Sequence, residues 1–153
     1  MPMELTNRQE VMRETAAKLE IRHADILRKM AYVGEEAVNV ARDTSRKGTD
    51  YQDQTGNLRS STGYILVEDG QPLKTSDFRP KAGNSGDGSE GSEKGRGYAE
   101  SLAKDCPTGI TLAVVAGMPY AAYVAAKGYD VLDSSKREAR ILANEVLNEP
   151  VWK

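Results

Sequence analysis

The chain has 153 residues, 21 basic against 23 acidic, with a formal net charge of −2. That size fits one domain, residues 1–153, with one moderate core. The charges divide as 9 basic and 9 acidic in residues 1–50, 6 and 8 in 51–100, and 6 and 6 in 101–153. No segment is basic enough for bulk nucleic-acid binding or for an anionic membrane surface. Cys106 is the single cysteine, which excludes a disulfide within the chain. No basic cluster lies near it in sequence to activate the thiol. The opening "MPMELTNRQE" lacks the apolar centre of a leader, and every apolar run is too short to span a bilayer. The expected compartment is the cytoplasm.

Residues 7–46 read as helix. Thr6 and Gln9 have capping-box spacing, with Leu5 as a staple outside. Ile26, Met30, Val33, Ala37, Val40 and Thr44 recur three or four apart and mark a buried stripe. One long helix fits, and so do two with a break near 21–24. A helix of this length exceeds what so small a domain can cover, so part of it is available to a partner. After a loop, "TGNLRSS" leads into an alternating segment, residues 62–67, and "EDGQ" turns the chain as in a hairpin. Both faces of this strand carry apolar groups, so both are expected to be covered.

Residues 71–97 show no periodicity, and "KAGNSGDGSEGSEKGRG" predicts a flexible insertion loop over 80–97. Its glycines lack the Lys-Ser/Thr ending of a phosphate loop. "YAESLAKDC" fits a short helix or an irregular lead into a strand. "GITLAVVAG" is the strongest strand signal. In "PYAAYVAAKGYD" alanine favours helix, and tyrosine and valine favour strand. "SSKREARILANEVLNE" is a helix with Ser135 and Glu138 at capping-box spacing. Ala139, Leu142 and Val146 lie on its buried side, and Pro150 stops it. The fold class is α+β, with the N-terminal and C-terminal helices packed on one side of a small antiparallel sheet. Leu58, Ile65, Leu112, Val114 and Leu142 are the expected core.

Little in the chain suggests catalysis, and no enzyme activity, cofactor or metal site is expected. His23 is the single histidine and sits inside helical sequence, where a structural role is simpler. No His/Cys cluster has zinc spacing. Asp43 with Asp50, or Asp130 with Asp133, lack an orienting neighbour, and helix capping explains them more simply. Ser60 and Ser61 have no histidine near them in sequence. In "TGNLRSS", Gly56 suits a left-handed conformation, Asn57 suits a cap, and Leu58 points inward. Arg59 then pairs either within the domain or with a neighbour. Tyr120, Tyr123 and Tyr129 fit equally a core edge or an interface.

These residues carry a resemblance. The chain resembles the head–tail joining and tail-completion proteins of long-tailed bacteriophages. The first matching motif is Thr55, Gly56, Leu58, Arg59 and Ser61 ahead of a strand. The second is Gly117, Pro119, Tyr120, Ala121, Tyr123 and Val124 after a strand. A long helix precedes them and a closing helix follows, over nearly the full length. The resemblance implies a virion structural protein, a ring between portal or neck and tail tube. A hexamer is the usual implication, though twelve-copy neck components exist. The ring is implied to touch neck or portal proteins on one side and tail-tube proteins on the other, with DNA passing its lumen unbound. The physical reading adds heterologous contacts that close by rotation. Arg59, Tyr120, Tyr123 and Tyr129 are the expected interface residues, and Arg59→Ala is expected to reduce assembly with the monomer folded. A minor capsid or tail-tube component, and a small nucleic-acid-binding module, are the alternatives.

Overall fold

In the computed structural model, residues 7–43, 51 and 53–152 are described. Helix α1 spans Arg8–Arg42 without a break, so the one-helix alternative holds. Thr6, Leu5, Thr44 and Asp50 lie outside the described residues. Along α1, residues Asp25, Lys29, Val33, Ala37 and Ala41 are buried at steps of four. The preceding residues, 8–24, are exposed throughout. At 1.5 Å per residue that exposed segment is about 25 Å long.

Strand β1 (Thr62–Glu68) is the middle of a three-stranded antiparallel sheet, in the order β2-β1-β3. It turns into β2 (Gln71–Thr75) through Asp69 and Gly70, both at positive φ, 51° and 79°. A two-residue Asp-Gly turn of this kind matches the twist of the strands it joins. Strand β3 (Ile110–Ala116) pairs with the other side of β1, from Thr62 against Ala116 to Glu68 against Ile110.

Side chains alternate across β1, and each face has its own helix. On one face, Tyr64 and Leu112 pack so close to α1 that a Cβ on Gly34 would sit 2.8 Å from the Tyr64 ring. Burial raises the Tyr64 hydroxyl above its ordinary value, and its hydrogen bond to Glu35 Oε1 at 2.9 Å acts the same way. On the other face, Ile65, Val67, Phe78, Val115, Ala99 and Ala103 form a core with helix α3 (Ser89–Ala103). The strand is therefore buried on both sides, as its two apolar faces predict.

Helix α3 overturns part of the expected 80–97 loop. Only residues 80–88 are irregular; 89–97 are the first turns of a 15-residue helix. Gly91, Ser92 and Gly95 are on its buried side. The periodicity is hidden because the contact face is built of glycine, serine and alanine, which a hydrophobic pattern does not register.

The chain ends on α4 (Ala121–Ala126) and α5 (Asp133–Leu147). In "PYAAYV" the helical preference of alanine prevails. Helix α5 packs along α1, and the groove between them is floored by Leu112 and Val114 of β3. Leu58 and Ile65 are fully buried, while Leu112, Val114 and Leu142 are half-buried. The cap of α5 is not the expected box. The helix starts at Asp133, two residues early, and Asp130 accepts the Ser134 N–H at 3.1 Å. Ser135 instead donates its hydroxyl to Leu132 O.

The C-terminal tail returns to α1. Lys29 Nζ donates to the carbonyls of Glu149 and Pro150 at 3.0 and 3.1 Å, and pairs with Asp25 Oδ2 at 2.7 Å. Asp25 Oδ1 accepts the Trp152 N–H at 2.8 Å, and the Trp152 ring meets Tyr32 edge-on. Both charged side chains are fully buried. Burial alone would raise the Asp25 carboxyl; the bonds from Lys29 and Trp152 more than reverse this and hold it below its ordinary value.

Candidate functional site

The two motifs, about sixty residues apart in sequence, meet in one cluster. Asp53 starts it. Its carboxylate accepts the N–H groups of Leu58 at 3.1 Å and Arg59 at 2.9 Å, so it caps the short helix α2 (Asn57–Ser60). Gly56 precedes α2 at φ 76°, the left-handed conformation its motif predicts. A Cβ there would also lie 1.8 Å from the Lys81 carbonyl, so glycine is required twice over. Asn57 does not cap its own helix. Its Oδ1 accepts the Gly91 N–H at 3.1 Å and its Nδ2 donates to Glu90, which ties α2 to the first turn of α3.

The serines are consumed by the backbone. Ser60 Oγ accepts the Lys81 N–H at 2.7 Å and donates to Lys81 O, holding the 80–88 segment. Ser61 Oγ and Thr62 Oγ1 both donate to Leu58 O. His23 faces Glu68, with Nε2 2.5 Å from Oε1, and joins α1 to the end of β1. Among the described residues, no group of three or more His, Cys, Asp or Glu could hold a metal ion.

The second motif closes on the first. Gly117 N–H donates to Ser61 O at 3.1 Å. A Cβ on Gly117 would lie 2.6 Å from the Gly95 Cα, and one on Gly95 would lie 2.5 Å from Ser61 O. Three segments thus touch backbone to backbone. Leu58, Met118, Ala121, Val131 and Tyr51 fill the space beneath.

Arg59 belongs to this cluster. It is 8% exposed, and its guanidinium carbon lies 4.3 Å from the Tyr51 ring centroid. These contacts lie within the chain, so Arg59→Ala should carry a cost to the monomer beside the expected loss of assembly. The tyrosines differ from it. Tyr120, Tyr123 and Tyr129 are all exposed, Tyr123 at 63%. Tyr129 meets Tyr51 edge-on with centroids 6.0 Å apart, and Lys127 Nζ lies 4.8 Å from the Tyr123 ring centroid. Burial pushes the Tyr51 hydroxyl up, against the pull of Arg59. Burial raises Tyr120 too, with the Asp53 charge adding to it.

Sequence reasoning missed Tyr51, which carries Arg59, and Asp53, which caps α2. An aspartate four residues ahead of the turn helix was the available signal for the second. It also missed Asp25 and Lys29, whose signal is an opposite-charge pair four residues apart in register with the apolar stripe. A groove of about 300 Å³ lies beside β3, between Tyr98 and Leu102 of α3 and Ala122 and Ala125 of α4. No helix among the described residues is long and apolar enough to cross a membrane. No family model, curated protein or solved structure matches the chain.

Proposed function

We propose that the chain is a virion structural protein that forms a ring at the head–tail junction of a long-tailed bacteriophage, as neck adaptor, tail-completion or tail-terminator protein. The observation that carries the reading is the joint itself. The two motifs of the resemblance pack on one another and leave Tyr120 and Tyr123 exposed, with Tyr129 exposed nearby against Tyr51. Rigid aromatic side chains mounted on a packed base are the usual anchors of a protein interface.

The sheet edges support a contact that closes by rotation. Strand β2 carries Pro72 and Lys74, which discourage pairing at that edge. Strand β3, "ITLAVVA", carries neither proline nor charge and runs beside the apolar groove. The two ends of the sheet are therefore chemically different, which suits a head-to-tail neighbour over a like-to-like one.

The experiment is assembly of the purified chain, measured by light scattering and negative-stain microscopy. The expected particle is a ring of about six subunits of 16.7 kDa, with a central opening. Tyr123→Ala and Tyr120→Ala should lower the mass and leave the circular dichroism spectrum unchanged, because both side chains are exposed. A ring whose mass neither substitution changes would contradict the role given to the tyrosines.

A further inference from the structure

The apolar stripe that α1 buries in its own domain does not stop where the domain stops. Met12, Ala16, Leu19, His23, Ile26, Met30, Val33, Ala37 and Val40 are spaced by four and three alternately. From Ile26 onward this seam is covered. Before Ala24 it is exposed, with Met12 at 61% and Leu19 at 64%, and His23 is held by Glu68 at the end of β1. A seam of period 3.5 is the pattern by which one helix packs along another.

We propose that residues 8–24 pair with the same residues of a second copy, antiparallel and two-fold symmetric. Charge and shape both select this occupant. With Ala16 set against Leu19 of the second copy, the small and large residues alternate across the seam. Arg13 of each copy then stands beside Glu20 of the other, on both sides of the axis. Thr15 stands beside Arg22, which adds no like-charge contact. A parallel pair would instead set Arg8 beside Arg13, two like charges. In the antiparallel register Val11 of one copy lies opposite Ala24 of the other, the last residue before burial begins at Asp25. The exposed segments overlap along almost their whole length.

The pairing uses the first part of α1, which meets the body through Arg22 at Leu147 and His23 at Glu68, and stands whether or not a ring forms. Two short helices bury little surface, so the contact belongs to the weak class of interfaces.

Sedimentation and light scattering of the full chain at about 100 μM test it. Leu19→Arg should halve the mass of the parent: dimer to monomer if no ring forms, paired rings to single rings if one does. Arg13→Glu and Glu20→Arg should each lower the paired fraction, and Arg13→Glu with Glu20→Arg together should restore it. All three side chains are exposed, so circular dichroism should not change. A parent that is monomeric at this concentration overturns the pairing. So does a mass unchanged by Leu19→Arg, or a double charge swap no better than its singles. Loss of the ring with the factor of two retained would count against the ring reading alone.

Discussion

Arg59 and Lys29 show how a charged side chain is kept inside a small protein. Each has an aromatic ring beside it: Tyr51 for Arg59, and Trp152 for Lys29 at 5.7 Å. Lys29 also has a carboxylate and two carbonyls. Removing one member of a buried pair strands the other, which costs far more than the pair contributes. Lys29→Met should lower the melting temperature on the order of 10 °C. It should also free the tail. Trp152 is the single tryptophan, so its emission reports this directly. The pH dependence has a definite sign. Asp25 titrates lower in the folded chain than its ordinary 3.8. Its contribution is therefore complete above that value and is lost as the pH falls through the lowered one. Trp152 emission should change below pH 3.8, and Asp25→Asn should abolish that step. Arg59→Ala should destabilise the monomer by about 1–2 kcal/mol through lost stacking and packing. Denaturant unfolding measures it; an unchanged midpoint would leave Arg59 with the interface role expected of it and no part in the monomer's stability.

At the scale of elements, α3 is the instructive case. Its sequence "SEGSEKGRGYAESLA" contains three glycines, each unfavourable in a helix interior by roughly 1 kcal/mol relative to alanine. The helix forms because two of those glycines let it lie directly on α2 and the end of β3. Gly97 has nothing within 4 Å of a Cβ, whereas Gly95 would meet the Ser61 carbonyl at 2.5 Å. The two positions should respond oppositely to one substitution. Gly97→Ala should stabilise by roughly 0.5–1 kcal/mol, and Gly95→Ala should destabilise despite the better propensity of alanine. Equal stabilisation by both, in urea unfolding, would mean that α3 is not packed on α2. The same case explains what the sequence disclosed. Long apolar periodicities made α1, β1, β3 and α5 legible, and the Asp69-Gly70 turn made the hairpin legible. A contact face made of Gly91, Ser92, Gly95 and Ala99 leaves no such trace, because its specificity lies in the absence of side chains. In the candidate site, Gly56 and Leu58 were legible from motif chemistry. The inward position of Arg59 was not, since it depends on Tyr51 arriving from another segment.

For the whole molecule, the surface is divided into chemically unlike regions. Tyr120 and Tyr123 stand exposed beside the motif joint, and Tyr129 packs against Tyr51. One edge of the sheet is guarded by Pro72 and Lys74, and the other is open beside an apolar groove. An exposed length of α1, about 25 Å, is joined to the body at its end through Arg22 and His23. Such a molecule has several chemically unlike surfaces, which the proposed place between unlike neighbours in a bacteriophage neck would use. That exposed part also accounts for the length of α1, which its own domain covers only from Asp25 onward.

The most direct measurement is a particle image: an electron micrograph average of the purified chain, taken alongside its Tyr123→Ala variant. We expect closed rings with an open centre for the parent, with Tyr123 at the boundary between adjacent subunits, and few or none for the variant. Single globules from the parent at every concentration, with the tyrosines facing bulk water, would contradict the account.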